Sequence, residues 1–376
     1  MRSPLEGLPA AKRLLRQYDA FFKGITRDDK VALFHDKDPD GISAGVIIAN
    51  QVRRMRGKRI DMRLHAPGTA YSLTPSLVRR MRRAHITVLI ITDVSADHEP
   101  VLVRAVAKFA RVIIIDHHKL YTAFKEKNIL VIKPQLLQDT IKPSTWCAAK
   151  FAYDLGNRLV DLTDLDWLAA TGSIADIATA PWRPWLLRVL RRHHATLKKD
   201  FFTTIIGQVA VTINSALVFD SRHVPMAFRI VHGAKGPRDV LRSQLRRYHV
   251  AVQREIDKWI GMLDTRADKH PEHQLIVYYV EPKFHIKSTL STILSLKHPT
   301  TTLVLLGPDH DMVTVSARRH DSKFAMNELL ECACRGIKGA SAGGHIPAAG
   351  GRFPKKDLLR FRSQLLDCVA AAQKAS

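Results

Sequence analysis

Cysteine is scarce: Cys147, Cys332, Cys334 and Cys368 are the only four in 376 residues. They lack the paired spacing of a metal site and are too few to staple so long a chain, so they are expected to be buried or free thiols. Aromatic residues are also few, at 7%, but a hydrophobic content of 46% is that of an ordinary folded chain and disorder is not expected. No uninterrupted apolar run is long enough to cross a bilayer, so no membrane association is expected. The start Met1-Arg2-Ser3-Pro4-Leu5-Glu6 lacks the charged-then-apolar order of a secretion signal, and a cytoplasmic location is the expectation. Internal repeats and low-complexity tracts are absent. Acids are under-represented, 35 Asp+Glu against 59 Lys+Arg, which leaves a formal charge of +24. Such a surface attracts polyanions, of which nucleic acid is the commonest. A basic composition shared across a lineage, or an acidic protein or membrane partner, would give the same balance. The spread of Arg over many helical stretches, rather than one tail, favours nucleic acid.

Because acids are scarce, their grouping is informative. In Phe34-His35-Asp36-Lys37-Asp38-Pro39-Asp40-Gly41-Ile42-Ser43, acids fall at Asp36, Asp38 and Asp40. An extended backbone would aim alternate side chains at one place, and like charges so close call for a compensating hard divalent cation. Taken alone, the stretch also reads as a solvated acidic turn with Gly41 at its bend.

The rest of the chain argues against the turn. Val31–Phe34 is a short apolar run, and a helix is expected from Ile42 to Arg56 with its positive N-terminal end toward the acids. A strand at Arg59–Leu64 is followed by Pro67-Gly68 and a basic helix near Pro75–Arg83. Ile86–Thr92 is a nearly all-apolar strand ending at Asp93. After a helix from Glu99 to Phe109, Val112–Ile115 runs into Asp116-His117-His118. This strand, helix, strand rhythm predicts a parallel sheet, whose sites lie at the carboxyl ends of the strands. Ile129–Ile132 is a further strand, and a helix is expected to open near Pro143-Ser144-Thr145 and run through Leu155. A helix from Leu165 to Ala178 carries the small residues Ala170, Gly172, Ser173 and Ala175, suited to close packing, and Asp176 in an apolar turn. Between 181 and 199, Trp182 and Trp185 interleave with Arg and Lys, a pattern that suits strand binding and equally suits a basic helix packed by its apolar stripe. Residues 237–266 read as one long linking helix. The strands Leu275–Val280, Thr302–Gly307 and Met312–Ala317 then open a second α/β domain.

The motifs, in order, resemble the DHH phosphoesterase superfamily, particularly its RecJ-like and archaeal single-strand nuclease members. Asp116-His117-His118 is the name-giving motif. Asp36-Lys37-Asp38-Pro39-Asp40-Gly41 resembles the first motif, Asp93-Val94-Ser95 the second and Gly172-Ser173-Ile174-Ala175-Asp176 the fourth. Gly343-Gly344-His345-Ile346-Pro347-Ala348-Ala349-Gly350-Gly351, with Ser316-Ala317-Arg318 upstream, resembles the DHH-associated substrate-binding domain. The implied architecture is α/β: a parallel-sheet DHH catalytic domain with flanking helices over 1–180, a basic helical insert and linker helix over 181–266, and a smaller α/β C-terminal substrate-binding domain over 267–376.

The resemblance implies two divalent metal ions, Mn2+ preferred and Mg2+ possible. Asp36, Asp38, Asp40, Asp93, His117 and Asp176 would be ligands, with Asp93 bridging. His35, one residue before Asp36, is the alternative in the first motif, and alternation with Asp38 and Asp40 favours Asp36. His118 would meet the phosphate and Asp116 would orient the histidines. Arg318, His345 and the backbone N–H groups of Gly343 and Gly344 are the candidates for gripping the substrate. Two cations about 3.5 to 4 Å apart suit phosphodiester hydrolysis. The expected activity is exonucleolytic cleavage of single-stranded DNA or RNA to mononucleotides, since charge favours a polymer. The alternatives are an oligoribonuclease, a cyclic or linear dinucleotide phosphodiesterase, or a replication and repair scaffold without activity. Single strands or short oligonucleotides, and replication or repair proteins, are the implied partners; the oligomeric state is not legible.

Overall fold

The computed structural model describes residues 4–67, 72–321 and 323–374; Gly68 of the expected turn lies outside them. The chain forms two compact units, Met1–His249 and Val250–Ser376. The first begins with α1 (Ala11–Lys23), then β1 (Val31–His35), α2 (Pro39–Arg56), β2 (Met62–Leu64), α3 (Pro75–Arg83), β3 (Val88–Thr92), α4 (Pro100–Ala107), β4 (Arg111–Ile115) and β5 (Ile129–Ile132). The helices α5 (Ala148–Gly156), α6 (Asp166–Ala175), α7 (Arg183–Arg192), α8 (Ile205–Phe219), α9 (Val224–Gly233) and α10 (Pro237–Arg242) follow, and the division between units falls within α11 (Leu245–Gly261).

The five strands form one sheet in the order β2-β1-β3-β4-β5, every pairing parallel. Side-chain alternation splits the strands between two apolar layers. Val31, Leu33, Val88 and Ile90 face a core shared with α2, α5, α6 and α8, while Ala32, Phe34, Leu89 and Ile91 face α3 and α4. All five carboxyl ends share one edge. The order reverses between β1 and β3, the place where open parallel sheets leave a crevice.

The stretch from 181 to 249 belongs to the same core: Leu186, Val189, Ile206, Ile213, Val231 and Tyr248 are buried in it. Trp182 donates its indole N–H to the Thr145 carbonyl at 2.8 Å, and the Lys150 ammonium lies 4.4 Å over its ring. The apolar stripe of α7 and Trp182 is spent on internal packing, as the apolar-stripe reading expects, while Arg183, Arg188, Arg191 and Arg192 are exposed. The single long helix expected over 237–266 is instead α10, α11 and the short α12 (Leu263–Arg266), broken at Ser243, where the backbone becomes extended, and interrupted by a turn at Met262. The helix expected from Pro143 starts later. Pro143–Thr145 forms one 3-10 turn, and Cys147 caps α5.

The second unit adds β6 (Asp268–His270), β7 (Leu275–Tyr279), α13 (Lys287–Lys297), β8 (Thr302–Asp309), β9 (Met312–Arg318), α14 (Met326–Ala333), β10 (Ser341–His345), β11 (Ala348–Pro354) and α15 (Leu358–Lys374). Its six-stranded sheet has the order β10-β11-β9-β8-β7-β6, with only β7 and β8 parallel. Val313, Val315 and Ala317 turn toward α14 and α15, whereas Ser316 and Arg318 turn toward α13. Cys332 and Cys368, on α14 and α15, are joined in a disulfide. They are therefore not free thiols: 36 residues separate them in sequence, so only the packing of the two helices brings them together. Cys147 and Cys334 are buried and free. Among the described residues, no helix is long and apolar enough to cross a membrane.

Candidate active site

Three adjacent strands deliver ionisable groups to the carboxyl edge: Asp36 follows β1, Asp93 follows β3, and Asp116-His117-His118 follow β4. The first-motif acids do not converge by strand alternation. Asp38 is the N-cap of α2, accepting from the Gly41 N–H at 2.8 Å, and Asp40 lies in the first turn. A helix entry, not an extended strand, gathers them, because a carboxylate there satisfies N–H groups that have no partner in the helix.

Asp40 is fully buried and held by a second helix as well. Its two oxygens accept from the Ala148 and Ala149 N–H groups at 2.7 and 2.9 Å, at the start of α5. Gly172 on α6 makes room: a Cβ there would stand 2.1 Å from an Asp40 oxygen. Gly172 thus serves the carboxylate directly, beyond the close helix packing its size suggested. Asp93 has a φ of 59°, a left-handed conformation uncommon outside glycine, and is buried.

The His117 Nε2 lies 3.4 Å from an Asp93 oxygen and 3.5 Å from an Asp176 oxygen. Asp176 is the residue that ends α6. Donor atoms of Asp40, His117 and Asp176 lie within 4.8 Å of one another, as do those of Asp36, Asp38 and Asp93, and those of Asp93, His117 and His118. His35 is outside these groups. It is buried, its Nδ1 2.6 Å from the Asp36 carbonyl and its ring stacked 4.8 Å from that of Phe228.

Crowding carboxylates in this way is costly. Burial, followed by repulsion from Asp36 and Asp40, pushes Asp38 up to about 7. Burial, then Asp40 and Asp38, pushes Asp176 up to about 9. Asp93 is raised well above the usual carboxylate range by burial and then Asp40, and Asp36 is raised by burial. Burial lowers His117, favouring the neutral imidazole that ligates metals. The donor set fits a metal centre: ligand atoms about 2.1 Å from a common ion stand roughly 3 to 3.5 Å apart, the spacing around His117 Nε2.

Asp116 is different. Burial would raise it, but a 2.6 Å contact with His118 Nδ1 and the Lys133 ammonium at 2.8 Å hold it down at about 2. It orients His118 rather than both histidines. The hydrogen bond to Asp116 raises His118 in turn, and its side chain is 49% exposed. Lys133 also contacts Asp97 at 2.9 Å and donates to the Lys119 carbonyl at 2.8 Å. Sequence reasoning passed over Lys133 and Asp97. Their signal was position, since Lys133 directly follows β5 and Asp97 lies just past β3, on the same sheet edge.

In the second unit, Arg318, Ala348 and His345 form one row across β9, β11 and β10. Arg318 donates to Ser291 at 3.1 Å on α13. β10 is the edge strand and is largely exposed, so alternate backbone N–H groups of Ser341–His345 are turned outward. Gly344 has a φ of 146° and no room for a Cβ, whereas a Cβ on Gly343 would meet open space.

Residues 30–178 match the DHH family, N-terminal domain, and residues 273–371 match the DHHA1 domain. The chain belongs to the DHH family. Members are phosphoesterases, and this DHH chain is a hydrolase of that class with an acidic cluster that could hold metal. Its fold is that of a RecJ from Thermus thermophilus in complex with Mn2+, at 19% identity and a TM-score of 0.65, over 98% of this chain. The chain spans 56% of that RecJ. A second structure, an exonuclease RecJ bound to manganese, is 20% identical with a TM-score of 0.66, covering 95% of this chain and 94% of the other. A pGpG-specific phosphodiesterase from Vibrio cholerae is 10% identical with a TM-score of 0.53, covering 91% of this chain and all of its own. No curated protein matches the sequence.

Proposed function

We propose that the DHH chain is a metal-dependent exonuclease that hydrolyses single-stranded DNA or RNA to mononucleotides. The observation that carries this reading is the gathering of buried and half-buried, mutually repelling carboxylates around His117. Asp36, Asp38, Asp40, Asp93, His117 and Asp176 would hold two divalent ions, with Mn2+ preferred and Mg2+ also accepted. Bound there, such ions activate water and relieve charge on the scissile phosphate.

The chain's own residues do the rest. Asp40, clamped by α5, keeps its position without help from substrate. His118 offers its Nε2 to a phosphate oxygen, and Asp116 keeps that imidazole aligned and protonated to higher pH than usual. Lys133 neutralises Asp116 from below. In the second unit, Arg318, His345 and the backbone N–H groups of the exposed edge strand at Gly343 and Gly344 are suited to gripping phosphate or base edges.

The formal charge of +24 favours a polymer, because affinity grows with the number of phosphates neutralised. The likeness to a pGpG phosphodiesterase supports a second reading, a dinucleotide or short-oligonucleotide phosphodiesterase. End-labelled single strands of graded length, incubated with Mn2+, separate the two. Mononucleotides released from long strands support the exonuclease. Cleavage confined to the shortest substrates supports the second reading, and no metal-dependent cleavage of any length defeats both. Replication or repair proteins are candidate partners, and a cytoplasmic location is the proposal.

A further inference from the structure

A second charged cluster in the first unit carries one sign only. A cavity of about 260 Å3 opens between β2, α2 and α9, lined by Arg59, Arg63, Arg229, His232 and Phe228. Neighbouring arginines of this chain are paired: Arg54 with Asp164 at 2.6 Å and Arg56 with Asp61 at 2.8 Å. Among the described residues no carboxylate pairs with Arg59, Arg63 or Arg229, and the charge that bears on half-buried Arg63 is the like charge of Arg229. Arg59 and Arg229 are exposed, but Arg63 is half-buried, and a guanidinium withdrawn from solvent beside like charges without a counter-ion is costly unless a ligand brings the charge.

Arg63 is also fixed in place. Its guanidinium lies 4.8 Å over the Phe228 ring and 3.4 Å from the His35 Nε2. Arginine can only donate, so Nε2 is the acceptor and the His35 proton sits on Nδ1, which donates to the Asp36 carbonyl at 2.6 Å. The cavity is therefore linked through Arg63 and His35 to the backbone of the acidic loop.

We propose that this cavity is a phosphate subsite, which takes a backbone phosphate of a single strand next to the phosphodiester held at the acid cluster. The inference rests on the nuclease reading. A planar guanidinium fork matches a phosphodiester, and the wall that Phe228 and His35 give Arg63 orders it in advance. Short substrates that do not reach the cavity gain nothing from it, so it adds a preference for strands.

The test measures binding of a labelled single strand of about twelve nucleotides to the full chain in chelator, across about 50 to 200 mM salt. R63Q combined with R229Q is expected to bind about tenfold more weakly, and to lower the slope of log affinity against log salt by about one. R229E, at an exposed position, should do likewise and serves if R63Q does not fold. R104Q, whose parent pairs with Glu126 on the surface, should keep the wild-type slope. Wild-type affinity and slope in both R63Q and R229E would overturn the subsite. So would thermal stabilisation of wild type by inorganic phosphate, lost in R63Q while strand binding is unchanged, since the cavity would then serve free phosphate. Should wild type bind strands through Arg63 yet cleave none, the subsite stands and the nuclease reading falls. If wild type cleaves strands and the variants bind like it, only the subsite falls.

Discussion

At the edge of the first sheet, four acidic side chains of the site are fixed by the fold. Asp38 caps α2, Asp40 is gripped by the start of α5, Asp93 sits in a left-handed turn, and Asp116 is pinned between His118 and Lys133. The glycine hairpin of the second unit is the reverse case. Its edge strand is mostly exposed, Arg318 on the adjoining β9 is steadied by the Ser291 hydroxyl, and its remaining donors are exposed His345 and backbone N–H groups. Electrostatic work on a scissile phosphate needs charges that do not relax, and buried scaffolding supplies that. Gripping a substrate tolerates looser groups, whose individual contributions are smaller. Substitutions in the two regions should therefore differ by orders of magnitude.

The largest effect is expected from Asp93→Asn. Asparagine tolerates the left-handed φ of 59° and nearly matches the side chain in shape, so the fold should survive. Loss of one central carboxylate should lower Mn2+-dependent kcat by about 10^3-fold or more, on the scale of removing an essential electrostatic group. Metal-free thermal stability should hold or rise, because a repelling charge has gone. A variant retaining a tenth of wild-type kcat would sink the metal-site assignment.

Gly172→Ala comes next. In an ordinary helix this change stabilises by roughly 0.5 to 1 kcal/mol. Here the new Cβ would stand 2.1 Å from an Asp40 oxygen and 2.6 Å from the Ala149 Cβ. Overpacking of that kind costs about 1 to 3 kcal/mol and should move Asp40, with a loss of about 100-fold in kcat. A stabilised, fully active variant would show that Asp40 is not held as described.

The contrast also has a pH signature. In metal-free protein Asp38 titrates at about 7 and Asp176 at about 9, against about 3.8 for an unfolded Asp. Over that interval the folded chain binds more protons than the unfolded one, so stability falls as pH rises. Two histidines act oppositely at lower pH: buried His35 at about 3 and half-buried His65 at about 4 make stability rise with pH up to roughly 6.5. Lys287 in the second unit, at about 8, again favours rising stability above that value. The clean window is therefore about pH 7 to 8. In chelator, Tm should drop there by about 3 °C, and saturating Mn2+ should abolish the drop. A Tm that is flat or rising in chelator would contradict the buried acid cluster.

Most of the first sheet was legible because its strands are apolar runs ending in acids, and β5 falls at Ile129–Ile132 as expected. The convergence of Asp36, Asp38 and Asp40 was legible while its cause was not, since a Pro at the first helical position turns an apparently extended motif into a helix entry. The Lys133–Asp97 pair and the Cys332–Cys368 disulfide were missed for one reason. Each is a contact between elements distant in sequence, with no local spacing to announce it. The Trp182 and Trp185 pattern was ambiguous because a stacking platform and a packing stripe use the same residues; only burial of Trp182 under Lys150 distinguishes them.

The smallest effect belongs to the hairpin, and it tests whether that region works through its backbone. A Cβ at Gly343 meets nothing within 4 Å, and the residue lies in an ordinary strand conformation, so Gly343→Ala should be tolerated. It should even stabilise by roughly 0.4 to 1 kcal/mol, by restricting the unfolded chain. Gly344→Ala places a Cβ 2.6 Å from the Ala348 carbonyl at a φ of 146°, and should instead disturb the β10–β11 turn. If the outward N–H groups hold substrate, the methyl at position 343 will crowd the ligand without harming the fold. KM for a single strand should then rise about threefold to tenfold, about 0.7 to 1.4 kcal/mol, with kcat kept. A Gly343→Ala variant that is more stable and unchanged in KM would mean that the backbone of the hairpin takes no part, leaving the Arg318 and His345 side chains as the grip on this face.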